Sequence, residues 1–341
     1  MTDGLGNGAD AAGPRAAPTE TLARLWPATA VGVTSGLAYG LVTRMLAEAT
    51  RYGALFGVMT LSFLFVVPMV VGYLTVRPHP QPSWSYRLLA PWLPTILSVA
   101  ACYAVGWEGT ICIVMGLPVL LIFSSLGGVL GAVGPRRSAG AVGAILLPFV
   151  TAQLEHRIPA HVSVHRVHTS IAIAAPPVTV WNEIVEVPTI QPAEQHPALF
   201  TRLGFPRPVS ATLSRPGVGG VRRARFEGGV LFLERVTDWV PGRLLRFSIA
   251  AQTDSIPPAT LDRHVTIGGP YFDVLAGRYD IRPLAGGGVV LDLTSELRVS
   301  THFNAYASPW ADAIMRSIQR NILQIIRTRA EAKHFRTRWS E

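Results

Sequence analysis

The first 157 residues of the chain consist largely of apolar runs separated by short polar breaks. An α-helix needs about 20 residues to cross the hydrocarbon core of a bilayer, and four of the five runs reach that length. The fifth run is shorter and predicts either a short span or a helix lying in the membrane interface. Residues 26–154 are therefore predicted to form a polytopic bundle of four or five helices. The runs are Trp26–Leu46, Gly53–Val76, Leu88–Trp107, Thr110–Val133 and Ala139–Leu154.

Charged residues are concentrated beyond Arg157, which predicts a soluble domain after the membrane segment. Only 15% of all residues are charged, against about 25% in ordinary soluble domains, and the mean hydropathy is +0.33. Residues 1–25 lack periodicity and are predicted to form a disordered tail. Residues 155–165 are predicted to be a solvated linker, because the histidines there have no spacing typical of a metal site.

The arginines in the short loops predict how the bundle is oriented. Five of them lie on one side, which should be cytoplasmic because cytoplasmic loops carry an excess of arginine. The other side carries Arg44 and Arg51, offset by Glu48, and further along Glu108. The soluble domain is then extracytoplasmic if Ala139–Leu154 spans the membrane, as we expect, and cytoplasmic if it does not. The arginines of the cytoplasmic side are Arg24, Arg77, Arg87, Arg136 and Arg137.

Beyond the bundle the sequence alternates between apolar and polar residues, with breaks at Gly and Pro. Leu245, Phe247 and Ile249, for example, alternate with polar residues, as in a strand with one buried face. A long helix with an apolar stripe is predicted over Ala305–Ala332, and such a stripe has to be buried. The sequence therefore predicts an α+β domain over residues 166–335, a curved antiparallel sheet around a long C-terminal helix, following an all-α transmembrane bundle.

Three segments of this domain resemble a known superfamily. "VHTSIAIAAPPVTVWNEIVEV" (Val167–Val187) resembles the opening strand and helix of helix-grip proteins, which include START-type lipid-transfer domains and polyketide cyclase/dehydrase-like proteins. "FLERVTDWVPGRLLRFSI" (Phe232–Ile249) resembles their central hairpin, and "YASPWADAIMRSIQRNILQIIRTRAE" (Tyr306–Glu331) resembles their closing helix. The resemblance covers residues 165–335 and implies a helix-grip fold with a ligand cavity. The fusion to a membrane segment resembles uncharacterised bacterial membrane proteins.

Polar residues on the strands are candidates for the lining of that cavity. Glu234 shares an apolar strand face with Phe232 and Val236, and an inward carboxylate would orient a polar ligand group. Arg223 and Arg225 lie on one face of the preceding strand and are predicted to be within reach of Glu234. The alternative is a salt bridge on the solvated face of the sheet.

Further candidates come from a loop and from the closing helix. His264 could act as a general base or as a hydrogen-bond donor to a ligand, and Tyr271 and Tyr279 belong to the same segment. Tyr306 and Trp310 on the closing helix are predicted to face the cavity, in line with Ile314. For Tyr306 and Trp310 plain core packing is the alternative, and for His264 the alternative is an ordinary hydrogen-bonded residue.

These features predict a multi-pass protein, of a bacterial cell membrane, that binds a hydrophobic or lipid-like small molecule beside the bilayer. The first alternative is a cyclase/dehydrase-type enzyme in which His264 or Glu234 transfers protons, and the second is an interaction module without a ligand. No cofactor or metal is expected, since no phosphate-binding loop or metal-ligand spacing is found. The net charge of +9 comes from scattered residues, so nucleic acid is not an expected partner.

Overall fold

The N-terminal half of the computed structural model is a bundle of helices, and the C-terminal half is an antiparallel sheet with helices packed on it. The structure describes residues 18–49, 56–133, 138–196, 199–252 and 265–339. The bundle consists of α1 (Pro18–Glu48), α2 (Ser62–Val76), α3 (Trp84–Leu89), α4 (Trp92–Ala104), α5 (Thr110–Val133) and α6 (Ser138–His156).

Within the described residues, three helices are long and apolar enough to cross a membrane: Trp26–Glu48, Trp84–Ala104 and Thr110–Val133. Of the predicted span over Gly53–Val76, the described part is helical from Ser62 onwards, so α2 is shorter than predicted. The boundary of the predicted tail also moves, since α1 already begins at Pro18.

The π-helical geometry of the first turn of α2 has a local cause. In this turn, the N–H of Val67 donates to the carbonyl of Ser62. Pro68 follows directly and has no N–H for the ordinary helical bond to Leu64, so the wider turn accommodates it. Prolines are tolerated in membrane helices when such adjustments satisfy the backbone.

Glycines bring the membrane helices into close contact. A Cβ atom on Gly127 of α5 would overlap the backbone of Met69 on α2, and one on Gly32 of α1 would overlap the backbone of Thr75. Such close backbone contact through small residues is typical of helices that pack against each other in membranes.

The C-terminal half contains one antiparallel sheet, of seven strands in the described residues, in the order β1-β7-β6-β5-β4-β3-β2. One face is covered by the closing helix α9 and by α7. The strands are β1 (Val162–Ile173), β2 (Pro208–Leu213), β3 (Val221–Phe226), β4 (Leu231–Val240), β5 (Leu244–Ala251), β6 (Phe272–Pro283) and β7 (Val289–Ser300), and the helices are α7 (Pro177–Val185), α8 (Leu199–Arg202) and α9 (Asn304–Trp339).

Local sequence explains the hairpins and the buried face. Gly228 and Gly229 adopt positive φ angles at the turn between β3 and β4, where residues with a Cβ are disfavoured. Leu245 and Phe247 of β5 are buried, whereas Arg246 and Ser248 between them are exposed. The predicted antiparallel sheet with a long C-terminal helix is therefore confirmed.

The closing helix α9 has 36 residues and buries one stripe along its length. Its C-terminal half packs on the sheet through Leu323, Ile326 and Ala330. Near its end, Lys333 pairs with the buried carboxylate of Glu183 on α7 at 2.5 Å. The helix is thus attached to the domain along most of its length.

One carboxylate fastens the bundle to the domain. Glu155, at the end of α6, accepts hydrogen bonds from the backbone N–H groups of Leu61 and Ser62 at 2.7 and 3.1 Å. The same carboxylate lies 3.0 Å from the imidazole Nδ1 of His302, in the turn before α9. The Nε2 of His302 lies 2.8 Å from the carbonyl oxygen of Ile158.

Two further contacts join the bundle to the domain at the start of α9. The hydroxyl of Tyr306, in the first turns of α9, donates a hydrogen bond to the carbonyl of Met115 on α5. Phe303 packs against Phe65 of α2 with ring centroids 6.2 Å apart. The N-terminal end of α9 therefore rests on the membrane helices.

Candidate ligand-binding site

One cavity lies between the helical bundle and the sheet domain, and we call it the junction cavity. It has a volume of about 280 Å³. Its bundle side includes Gly116 and Leu120 of α5, and its domain side includes Tyr271, Tyr306 and Ile314. The wall is mostly aliphatic and aromatic, as is typical of sites for apolar ligands.

A second cavity, the grip cavity, lies inside the domain between the sheet and α9. It has a volume of about 90 Å³. Phe232 and Phe247 form part of its sheet wall, and Ile318 and Ile322 form part of its helix wall. Its polar lining comes from Glu234, Tyr279, Ser295 and Gln319.

The two cavities share part of their walls, so the grip cavity lies next to the junction cavity. The shared residues occupy the sheet, the loops before it and the N-terminal half of α9. They are Phe205, Ile267, Phe272, Ala311 and Ile314.

A buried ion pair stands beside the grip cavity. Glu234 of β4 and Arg222 of β3 are directly opposite each other across the two strands, and their side chains are hydrogen bonded. The guanidinium carbon of Arg222 lies 5.7 Å from the centre of the Phe247 ring, and the Tyr279 hydroxyl is a further partner. The Nε of Arg222 is buried and has no hydrogen-bond partner among the described residues.

Burial determines how these groups hold their protons. Removal from water raises the pKa of the Glu234 carboxyl, and the charge of Arg222 opposes that shift without cancelling it. Burial likewise raises the pKa of Tyr279 to about 12. The cavity thus has a carboxyl group that takes up a proton more readily than an exposed one, next to an arginine that stays charged.

The predicted partnership of Arg223 and Arg225 with Glu234 is wrong. Both arginines are exposed on the outer face of the sheet, whereas Arg222 is only 4% exposed and points inward. The cause is the register: Arg222 pairs with Glu234, and Arg223 pairs with Leu233. Since side chains alternate across a strand, a shift by one residue changes the face.

The other predicted site residues are distributed over both cavities. Glu234 and Tyr279 line the grip cavity, Tyr271 and Tyr306 line the junction cavity, and Ile314 lines both. Trp310 lines neither and packs edge-to-face on Tyr306, with centroids 6.4 Å apart. His264 lies outside the described residues. A role in binding stays a prediction for all of them.

Sequence reasoning missed two buried polar residues. Arg222 has a signal that would have found it, because antiparallel pairing across a turn at residues 227–229 places residue 222 opposite residue 234. Gln319 has none, since it interrupts the apolar stripe of α9. Its amide is satisfied by Thr169, by the carbonyl of Val167 and by Ser295, at 2.7 to 3.0 Å.

A strand–helix opening, a continuous antiparallel sheet and a long closing helix over an apolar cavity are now all in place. The domain has the helix-grip fold. No protein-family model and no curated protein matches the sequence.

Several solved structures are similar to the helix-grip domain at low identity. A Streptomyces aromatase/cyclase is 14% identical, with coverage of 49% of this chain and 94% of that chain and a TM-score of 0.31. Norcoclaurine synthase from Thalictrum flavum is 14% identical, covering 49% and 96%, with a TM-score of 0.29. The Aha1 dimer from Colwellia psychrerythraea is 13% identical, covering 49% and 96%, with a TM-score of 0.29.

Proposed function

We propose that this protein is a membrane-anchored binder of a hydrophobic or amphipathic small molecule, which it holds in the grip cavity. The observation that carries the proposal is an enclosed apolar space with a few polar groups on its wall, the usual composition of small-molecule sites. Glu234, on that wall, is the ion-pair partner of Arg222, which itself lines neither cavity. An apolar ligand with one polar group fits these surroundings.

We also propose that the chain crosses the membrane five times and that the domain is extracytoplasmic. The support is the alternation of the helices: Glu155 at the end of α6 contacts Ser62 at the start of α2, and Arg44 near the end of α1 pairs with Glu108 just before α5. These ends share one side of the bundle with the domain. The arginine-rich loops belong to the opposite side, which the charge rule assigns to the cytoplasm.

Binding is tested on the full chain in detergent with cis-parinaric acid, a fluorescent apolar probe. Ile318 lines only the grip cavity, so Ile318→Trp should fill it and abolish saturable probe fluorescence, at a cost of about 1–3 kcal/mol from overpacking. Arg320→Trp is the matched control, because Arg320 is exposed on the same helix. Equal probe binding by both variants and the native chain would leave the ligand-free interaction module as the remaining function.

Topology is tested with reporters fused after Glu341. Alkaline phosphatase should be active there and green fluorescent protein dark, because the former needs an extracytoplasmic and the latter a cytoplasmic location. The opposite pair of results would mean that α6 does not span and that the domain faces the cytoplasm.

A second candidate function is enzymatic, and the raised pKa of Glu234 favours it. A carboxyl group whose pKa is raised by burial and that lines a mostly apolar cavity is suited to proton transfer. In that case Glu234→Gln abolishes turnover of a bound substrate while cis-parinaric acid still binds. A binder without chemistry shows a change in affinity alone.

A further inference from the structure

The junction cavity is larger than the grip cavity, and its position relative to the bilayer identifies what it contacts. Leu120 on its wall lies ten residues beyond Thr110, the first residue of α5, which is about 15 Å along the helix. The hydrocarbon core of a bilayer is about 30 Å thick, so this part of the wall lies at about its middle.

Few polar groups on the wall are available to a hydrophilic ligand. Arg44 donates from Nε to Glu108 at 2.9 Å, from Nη1 to Glu48 at 2.7 Å and from Nη2 to the carbonyl of Trp107 at 3.0 Å. The Tyr306 hydroxyl donates to Met115. These groups stabilise the protein itself, and Ser98 Oγ is a buried polar atom on this wall without a partner among the described residues. The wall therefore fits an occupant that is mostly apolar and has at most one polar group.

The two cavities adjoin each other along α9. Along α9 the lining continues from Tyr306 in the junction cavity, through Ile314 in both, to Ile322 in the grip cavity. Sixteen residues of helix separate the ends, which is about 24 Å. A lining of that length beside a bilayer fits a long chain rather than a compact ring system.

We propose that the junction cavity is a lateral passage, through which a long-chain apolar molecule moves from the bilayer directly into the grip cavity. This inference rests on the proposed function, since it assumes that the grip cavity is the destination. It adds the source, the membrane itself, and the ligand class, a molecule with an extended hydrocarbon chain.

Gly116 offers a way to close the passage. It lies on α5 in the wall of the junction cavity, and a Cβ built on it would meet nothing within 4 Å. Gly116→Trp therefore fills the passage without a backbone clash. Gly143 on α6 has equally open surroundings and lines neither cavity, so Gly143→Trp is the matched control.

The probe is hexadecanol with a diazirine on its chain, dissolved in phosphatidylcholine nanodiscs that contain the full-length protein. After irradiation, peptide mass spectrometry should find crosslinks on the grip-cavity residues Phe232, Ile318 and Ile322. Gly116→Trp should lose these crosslinks, and Gly143→Trp should keep them. If Gly116→Trp is not monodisperse, Gly116→Leu is used, which narrows the same space with a smaller side chain.

The native cysteines supply a second measurement that needs no substitution. The chain has two, Cys102 and Cys112, and both line the junction cavity. Excess hexadecanol in the nanodisc should slow their reaction with N-ethylmaleimide, because an occupied passage shields the thiols. An unchanged rate would contradict occupancy of this cavity.

The outcomes separate the passage from the proposed function. Grip-cavity crosslinks that persist in Gly116→Trp, or that never form although cis-parinaric acid binds, overturn the lateral passage and leave the grip site standing. If cis-parinaric acid binding is the same in the native chain and in Ile318→Trp, the proposed function itself fails.

Discussion

Each half of the molecule contains a buried arginine paired with glutamate, and the two pairs differ in what they leave unsatisfied. In the bundle, three nitrogens of Arg44 have acceptors, and its two carboxylate partners each keep 20% of their side-chain surface exposed. In the domain, Arg222 leaves Nε without a partner, and Glu234 keeps only 9%. The Arg44 cluster joins helix ends, and these three nitrogens are all hydrogen bonded. The Arg222–Glu234 pair, beside the grip cavity, leaves one buried N–H donor without an acceptor among the described residues.

The difference shows that the burial of a charged pair is compensated more completely in one place than in the other. Burying an ion pair costs desolvation energy that the Coulomb attraction repays only when every donor and acceptor is satisfied. The Arg44 cluster meets that condition more fully, so it is explained by structure alone. The Arg222–Glu234 pair does not meet it, because Nε of Arg222 is buried without a partner among the described residues.

The largest expected effect is on the free energy of unfolding when each arginine is removed. Arg222→Met should destabilise by about 3–5 kcal/mol, because it leaves the Glu234 carboxylate buried without its partner. Arg44→Met should cost less, because the exposed parts of Glu48 and Glu108 retain water. Denaturant titration of the full chain in detergent measures both, and equal losses would contradict the comparison.

A somewhat smaller effect is expected when the carboxylate is removed as well. Arg222→Met combined with Glu234→Leu should regain about 3 kcal/mol over Arg222→Met alone, since apolar replacements of a buried pair are often neutral or stabilising. The same double variant should lose preference for probes with a polar end group. A double variant as unstable as the single one would show that packing, not charge, causes the loss.

The dependence of stability on pH should be opposite in sign to that of a typical salt bridge. Burial raises the pKa of Glu234 above its ordinary value of 4.5, so the folded protein takes up a proton before the unfolded chain does. On acidification from neutral pH towards 4.5, the native chain should therefore gain stability relative to Glu234→Gln. Unfolding midpoints at pH 7 and pH 5 compare the two, and a relative loss would mean that Arg222 lowers this pKa.

The smallest effects are expected at the exposed neighbours. Arg223→Ala and Arg225→Ala should each change the free energy of unfolding by less than about 0.5 kcal/mol, because both side chains are solvated. Binding of cis-parinaric acid should be unchanged as well. A loss of binding in either variant would show that the arginine contributes to the binding site, and it would contradict the observed register.

For both halves, the sequence predicted which helices and strands form better than it predicted where they begin and which of their faces are buried. Apolar runs located the membrane helices, but the first residue of α2 depends on Glu155, which is distant in the chain and lies in a different helix. In β3, arginine occupies positions 222, 223 and 225, which include both faces of the strand. The alternation of apolar and polar residues that usually identifies the inner face is therefore missing. Counting back from the hairpin turn resolves that ambiguity, because the register follows from the turn.

The junction cavity was beyond sequence reasoning for a different reason. Its walls come from the bundle and the domain, and the sequence pattern of each half gives no sign of the other. The hydrogen bond that joins them there links Tyr306 to Met115, 191 residues apart. Patterns of period 2 and 3.6 report which face of an element is buried, not which other element covers it. The grip cavity was foreseeable because one sheet and one helix within a single domain enclose it.

The carboxylate of Glu155 belongs to three structural units at once: the end of α6, the first turn of α2 and, through His302, the turn that leads into α9. The changes in the free energy of unfolding caused by mutating residues that share such a contact are not additive. Once Glu155 is replaced, a further change at His302 should cost little, since the imidazole has already lost its acidic neighbour. A double-mutant cycle across Glu155 and His302 would thus measure the coupling free energy between the membrane bundle and the helix-grip domain.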